Sequence, residues 1–402
     1  VMSLMGKAMV AALPDMGRIA MSVGLRNAFE GAFNRWGAAN KEFIAGGREV
    51  TEAGEAAEIA LHGRFEAIFD IDGYIFEATP FERMVEGGVN KMFILNGLAP
   101  YTDIMKRFSG AIIQSEMMRL SVKLANNSKF VQRDGEQVIE GAAGRLSKDE
   151  TMLLARNGIG FEEAVLIAKQ FETHGTKGDK LFVANAGNWD DPMVRKTFRT
   201  ALVTEVNNAV ITPGPADKPN FMGTGIGSLM FQFKSFAFSA TQRTLLAGLQ
   251  QRDAKVFHGI LSMIAMGYMV DFIKSPSYDQ RDFTSMDRFV QAVDYSGATG
   301  LLFDLNNMVE VMGGNNYGVR PLLGVDSFFK DPNLAQRTGQ IGGPVASLGF
   351  DLVNNLFDPE TSGSDWSRSV RRLLPFNNLI WWSWAVDRLQ RSAGEALDGD
   401  EE

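Results

Sequence analysis

The sequence contains no cysteine among its 402 residues and only three histidines. The absence of cysteine excludes disulfide bonds, thiolate metal sites and thiol nucleophiles. The histidines, His62, His174 and His258, are far apart in the sequence, and no two of them have the H-x-x-x-H spacing of helical zinc sites. We therefore expect neither a metal ion nor a cofactor.

Basic residues are outnumbered by acidic ones. The chain has 40 Lys and Arg against 48 Asp and Glu, which gives a net charge of -8. Neutralising a phosphate backbone requires clustered Lys and Arg, so a general nucleic-acid-binding surface is not expected. Hydrophobic residues make up 45% and charged residues 22% of the chain, close to the globular average, and this composition indicates a folded protein.

Alternating strand patterns are also scarce, whereas apolar residues recur at spacings of three and four along most of the chain. We therefore predict a mainly α fold, a multi-helix elongated bundle with Pro/Gly-rich breaks. One segment, "FEAIFDIDGYIF" at 65–76, can also be read as a short β hairpin. Its Asp70-x-Asp72-Gly73 resembles the start of a calcium loop, but no acidic residue closes the loop at the required distance.

Two stretches predict particular helices. The segment 149–174 is interpreted as two short helices joined at 158–160, with Glu162 and Glu163 in a first turn, where the helix dipole favours acids. A further helix is predicted over 191–210, with Pro192 at its first position and apolar residues recurring along one side.

Proline and glycine clusters divide the chain. The segment "ITPGPADKPN" at 211–220 contains three prolines and must interrupt the helices around it, and further breaks are expected at 134–145 and 313–321. We predict four regions, which are an amino-terminal helical region (1–133), a small helical module (134–210), apolar central helices (211–312) and a carboxy-terminal helical anchor (313–402).

The central region contains more apolar surface than one core-facing stripe requires. The stretch 256–270 is apolar over 15 residues, or about 22 Å of helix, which is shorter than the ~30 Å hydrocarbon core of a bilayer. It fits a buried helix, an interfacial helix or part of a multi-subunit pore. The predicted membrane or subunit contact residues are Phe231, Phe233, Phe236, Phe238, Ile260, Met263, Ile264, Met266, Met269, Leu301, Leu302 and Phe303.

A helical region is also predicted over 289–312, where Gly297 and Gly300 would let a neighbouring helix approach closely. Asp294 and Asp304 lie on different sides of a straight helix, so caps and polar contacts are favoured over acid–base chemistry. Near the end, Trp381, Trp382 and Trp384 are clustered, which is typical of an anchor between proteins or at a lipid headgroup layer. The alternative is a helix docked on its own bundle.

Several segments, in the same order along nearly the whole chain, carry a family resemblance. They are "NAGNWDDPMVRKTFRTALVTEVNNAVITPGPADKPNF" with "LMFQFKSFAFSATQRTLLAGLQ" in 184–250, "AVDYSGATGLLFDLNNMVE" at 292–310 and "LPFNNL" at 374–379. Weaker similarities are "ALPDMGRIAMSVGL" and "NGLAPYTDIMKRF". Together they resemble the internal virion proteins, or DNA-ejection proteins, of short-tailed bacteriophages. No segment is a catalytic signature.

The resemblance implies a function, a location and partners. Proteins of this family are stored inside the virion and released to form a tube across the host periplasm and inner membrane, and the similar region is the carboxy-terminal part of a very long polypeptide. We therefore expect a homo-oligomeric subunit of an ejectosome channel for genome translocation. Its expected partners are itself, other ejection or core proteins, the host inner membrane, and double-stranded DNA that passes through without sequence-specific binding.

Two other classes of function remain open at this point. The first is a structural protein of the internal core or portal vestibule with no membrane role. The second is an enzyme fragment, such as a peptidoglycan hydrolase, which would require a cleft with convergent titratable groups. Because no lysozyme-like glutamate context is present, we expect no enzyme in this chain.

Overall fold

A computed structural model of the chain describes residues 8–28, 41–54, 97–133, 136–178, 181–211, 235–246, 248, 254–274, 285–313 and 316–325, together with residues 350, 353 and 388. Within these ranges the fold is mainly α-helical, as predicted, and it also contains two small antiparallel strand pairs. The predicted hairpin at 65–76 lies outside the described residues.

The helices of the first half are α1 (Ala8–Ala11), α2 (Asp15–Val23), α3 (Lys41–Gly54), α4 (Leu98–Ala125), α5 (Lys148–Arg156), α6 (Phe161–His174) and α7 (Pro192–Ala209). Those of the second half are α8 (Ser235–Ala240), which continues into a π-helical turn (Thr241–Leu246), then α9 (Ala254–Lys274), α10 (Met286–Ser296), α11 (Leu301–Met312) and α12 (Val319–Leu322). The strands are β1 (Ser128–Arg133), β2 (Glu136–Gly141), β3 (Thr176–Lys177) and β4 (Phe182–Val183).

Local sequence explains where α5 and α7 begin. The Ser147 hydroxyl accepts the backbone N–H of Glu150 while the Glu150 carboxylate accepts that of Ser147, which is a capping box. Asp191 caps α7 by accepting backbone N–H groups of Met193 and Val194. The two short helices predicted over 149–174 and the helix predicted over 191–210 are confirmed.

The longest described helix, α4, lies at the centre of the first half. It is 28 residues long and contacts α2, α3, α5, α6, α7 and β4. Neighbouring pairs such as Ile112 with Ile113, and Met117 with Met118, are all buried, so the helix is covered on more than one side. One hydrophobic cluster joins it to α2, α5, α6 and α7, and it draws on residues from both of the first two predicted regions.

The expected break at 134–145 overlaps a β hairpin formed by β1 and β2. Strands β1 and β2 pair antiparallel, with Phe130 opposite Ile139 and Val131 opposite Val138. The helices are interrupted here as expected, but the strand pairing was not predicted. Backbone hydrogen bonds join the two strands. Both faces of the hairpin are partly polar, and the residues of β1 are half-buried or exposed.

The predicted helix over 289–312 is two helices, α10 and α11, rather than one. Gly297 and Gly300 both adopt positive φ, at 65° and 53°, a conformation that favours glycine; Gly297 ends α10 and Gly300 immediately precedes α11. A Cβ at Gly300 would lie 2.7 Å from the backbone N of Thr241, so the predicted close approach of a neighbouring helical segment occurs there.

Candidate functional site

Helix α9 is the most apolar long helix among the described residues. It has 21 residues and therefore extends about 31 Å at 1.5 Å per residue, close to the ~30 Å hydrocarbon core of a bilayer. The apolar stretch at 256–270 predicted a shorter helix than the one present. Ala254 and Lys255 extend the helix at its start, and residues 271–274 extend it at its end. By length and composition α9 can cross a membrane, a test that the core helix of a soluble protein also passes.

One face of α9 packs against α2 and α10 by way of glycines. A Cβ at Gly17 of α2 would lie 2.6 Å from the backbone N of Met263, and a Cβ at Gly267 would lie 2.1 Å from the carbonyl oxygen of Ala292 in α10. A Cβ at Gly259 would likewise lie 2.2 Å from Met21. The three helices therefore pack with their backbones unusually close.

The opposite face of α9 is largely exposed, and we call it the α9 face. Its apolar side chains are 44–61% exposed and lie along one side of the helix; they are Phe257, Leu261, Met269, Phe272 and Ile273. Between Lys255 and Lys274 the one carboxylate is Asp271, and it is only 7% exposed, on the buried side. The α9 face thus carries no Asp, Glu, Lys or Arg.

Two lysines mark the ends of the apolar helix. Lys255 and Lys274 are 19 positions apart in sequence, or roughly 28 Å along a helix. The Lys274 ammonium lies 4.5 Å from the centroid of the Tyr295 ring, and the Lys255 side chain passes close to Gly24. Lysines at this separation suit the two polar boundaries of a bilayer, because their long stems let the charge reach water.

Helix α11 also carries a row of exposed apolar side chains, which we call the α11 stripe. It consists of Leu302, Leu305, Val309 and Met312, which are 48–57% exposed. Their spacings of three, four and three place them on one side of the helix. Sequence analysis identified only Leu302 among these four.

The other side of α11 contacts a buried arginine, Arg320. Its Nη2 lies 2.8 Å from Oδ2 of Asp294, and its Nη1 lies 3.0 Å from Oε2 of Glu310 and 2.6 Å from Oδ1 of Asn307. Burial raises the pKa of Asp294, an effect that the charge of Arg320 opposes. The network ties α10, α11 and α12 together. The prediction that Asp294 serves polar contacts is confirmed, whereas Arg320 lay in an expected break and was missed.

The structure separates the predicted contact residues into three groups. Met269 and Leu302 are exposed, while Ile260, Ile264, Met266, Phe238, Leu301 and Phe303 are half-buried. Met263 is instead 1% exposed, on the side of α9 where its backbone packs against Gly17, so it is not available for an outside contact. The side chains of Phe231, Phe233 and Phe236, and the proposed anchor of Trp381, Trp382 and Trp384, lie outside what the structure describes.

A cavity of about 230 Å³ lies between α2, α5, α7, α9 and the π-helical turn. Its most buried acid, Glu205, is fully enclosed and is bound by the guanidinium of Arg156 and by Nδ2 of Asn157. These contacts hold the carboxylate in place as part of the packing between α5 and α7. Within the described ranges, no group of three His, Asp or Glu side chains is placed to hold a metal ion.

Comparison of the chain with known protein families, with curated proteins and with solved structures gave no match.

Proposed function

We propose that the chain is a subunit of a DNA-ejection channel of a short-tailed bacteriophage. In this proposal it is stored inside the virion, is released through the tail, and forms a homo-oligomeric tube across the host periplasm and inner membrane. The sequence resemblance supplies this class of protein. The observation that carries the membrane role is the charge distribution of α9, which has an exposed face without Asp, Glu, Lys or Arg, a carboxylate on the packed side and a lysine near each end.

This distribution matches what a bilayer tolerates. Charged side chains are expensive in hydrocarbon and normally face the interior of a bundle, as Asp271 does. Packing by small residues does not depend on water, since it uses close van der Waals contact between backbones. The contacts of α9 with α2 and α10 at Gly17, Gly259 and Gly267 are of this kind, so they can persist in lipid.

The α11 stripe supports the homo-oligomeric part of the proposal. A closed ring hides apolar surface that a monomer exposes, and in a head-to-tail ring the α11 stripe of each subunit packs against a different surface of its neighbour. The net charge of -8 supports passage of DNA rather than binding, because an acidic lumen lacks the attraction to phosphate that would slow the DNA.

A second candidate is a structural protein of the internal core or portal vestibule that never meets lipid. It is favoured by the fact that α9 already packs on two neighbours, with 39% of its most apolar 18-residue window buried. In this alternative the α9 face contacts another protein, and the purified chain does not bind lipid vesicles.

The first experiment measures flotation with liposomes and leakage of an enclosed dye. The wild-type chain is compared with Met269→Asp on the α9 face and with the matched change Met193→Asp on α7, where the methionine is 73% exposed. We expect binding and leakage for the wild type and for Met193→Asp, and loss of both for Met269→Asp. Absence of flotation by the wild-type chain would exclude the membrane role and favour the structural alternative.

A further inference from the structure

A groove of about 940 Å³ runs along the amino-terminal half of α9. Val23 and Leu25, at the end of α2 and just beyond it, form one wall, while Leu261, Ala265 and Met266 of α9 form the other. Most of the lining is therefore apolar. The volume lies within the ~300–1,000 Å³ range of sites that hold small molecules.

One end of this groove is basic. Arg26 and His258 line the groove, and Lys255 lies beside Gly24, so that its Cε is 3.8 Å from where a Cβ of Gly24 would stand. None of the described residues that line the groove is acidic. Along α9, Lys255 and His258 occupy the first two turns, and the apolar residues Leu261, Ala265 and Met266 follow. The cationic Lys255 and the polar His258 thus precede the apolar residues along the helix axis.

We propose that this groove binds one acyl chain of an anionic phospholipid, with the headgroup beside Arg26, Lys255 and His258. The inference rests on the proposed membrane role of α9. With Lys255 at the polar boundary of the bilayer, the basic end of the groove lies at headgroup depth and its apolar walls lie at hydrocarbon depth. A zwitterionic lipid fits the walls equally well, so the basic end is what selects an anionic headgroup.

The test compares flotation with vesicles of phosphatidylcholine alone and with vesicles that also contain phosphatidylglycerol. The rim variant Arg26→Gln removes one charge at the groove and leaves both lysines at the ends of α9 in place, and the control Arg195→Gln removes the same charge type on α7. We expect the wild type and the control to prefer phosphatidylglycerol. The rim variant should lose this preference by roughly fivefold per charge, while it keeps its binding to phosphatidylcholine.

A second measurement separates a lipid in the groove from attraction to a charged surface. Native mass spectrometry of the full chain, released from phosphatidylglycerol vesicles into detergent, should show retained lipid. The variant Ala265→Trp fills the groove and should lose this lipid, whereas Ala254→Trp, outside the groove, should keep it.

The outcomes distinguish the two proposals. Binding to both vesicle types with no preference, and no lipid retained, would overturn the groove inference and leave the membrane role of α9 standing. Equal loss of preference in the rim and control variants would also overturn it. No binding to either vesicle would overturn the membrane role, and the groove inference with it.

Discussion

Arg320 and Glu310 form an ion pair from which solvent is excluded: Nη1 lies 3.0 Å from Oε2, and the side chains are 2% and 0% exposed. Asp294, with a side chain 23% exposed, binds the same guanidinium from the other side. Taking charges out of water is costly, so the network is tolerable only while each charge keeps its partners. It holds α12, whose Leu322 is 85% exposed, against α11 mainly through polar contacts.

Replacement of this arginine should therefore be severe. We expect Arg320→Met to lower the free energy of unfolding by about 3–5 kcal/mol, because it leaves Glu310 buried without a cation. The control Arg133→Met removes an arginine that is 66% exposed and pairs with Glu140, and it should cost less than ~1 kcal/mol. Urea denaturation measures both. If the double variant Arg320→Met/Glu310→Leu were no more stable than Arg320→Met, charge burial would not be the cause.

Replacement by alanine should change the stability of the protein in opposite directions at two glycines, Gly17 in the α2–α9 contact and Gly47 in α3. Gly17→Ala should destabilise the protein, because its Cβ would lie 2.6 Å from the backbone N of Met263. The strain of about 1–3 kcal/mol exceeds the gain in helix propensity of up to ~1 kcal/mol. Gly47→Ala in α3 places its Cβ 3.4 Å from that of Arg107 and should stabilise by roughly 0.5–1 kcal/mol. Thermal unfolding distinguishes these signs, and stabilisation by Gly17→Ala would contradict the packing.

Glu150 predicts a pH dependence of stability. Partial burial acts to raise its pKa, but hydrogen bonds from Lys123, the Ser147 backbone and Arg119 outweigh this and lower the pKa to about 2 from the ordinary value of 4.5. A lowered pKa means that the contribution is complete above pH 4.5 and is lost as the pH falls towards 2.

The variant Glu150→Gln isolates that charge, because glutamine can still accept the Ser147 N–H in the capping box. We expect it to be less stable than wild type by about 1 kcal/mol at neutral pH, a figure kept small because Lys123 and Arg119 are both more than 40% exposed. The difference should shrink between about pH 5 and about pH 3 in urea titrations. The control Ser147→Ala should cost a similar amount at both pH values, and a pH-independent gap for Glu150→Gln would disprove the assignment.

Sequence patterns predicted the elements whose determinants are local. Helices α5, α6 and α7 follow from Ser147, Gly160 and Pro192 at their starts and from apolar periodicity after them. The hairpin β1–β2 was missed because both of its faces are partly polar, so no alternation marks it. The dipeptide Asp134-Gly135 between its strands is a known hairpin signal and would have found it.

The site depends on contacts that no local pattern contains. The sequence shows that α9 is apolar, but which of its residues face outward depends on where Gly17 and Ala292 approach the helix. This is why Met263 lies inside and Met269 outside, although both are methionines in one apolar run. Likewise, Arg320 meets Asp294 across 26 positions of sequence, a pairing set by the turn between α10 and α11.

The α11 stripe yields the prediction that bears most directly on assembly. We expect the wild-type chain to form a defined oligomer in detergent extracts of vesicles, measured by analytical ultracentrifugation and by cross-linking within the vesicles. The double variant Leu305→Lys/Val309→Lys should remain monomeric, because two charges in the subunit contact would each lose hydration without gaining a partner. The change Ile104→Lys, at an isoleucine 60% exposed on α4, is the matched control and should assemble as wild type does.

Vesicle flotation should be kept by both variants, since the α9 face is unaltered. If the double variant still forms the oligomer, the α11 stripe is not part of the subunit interface. If the double variant loses both vesicle flotation and assembly, the α11 stripe itself contacts lipid.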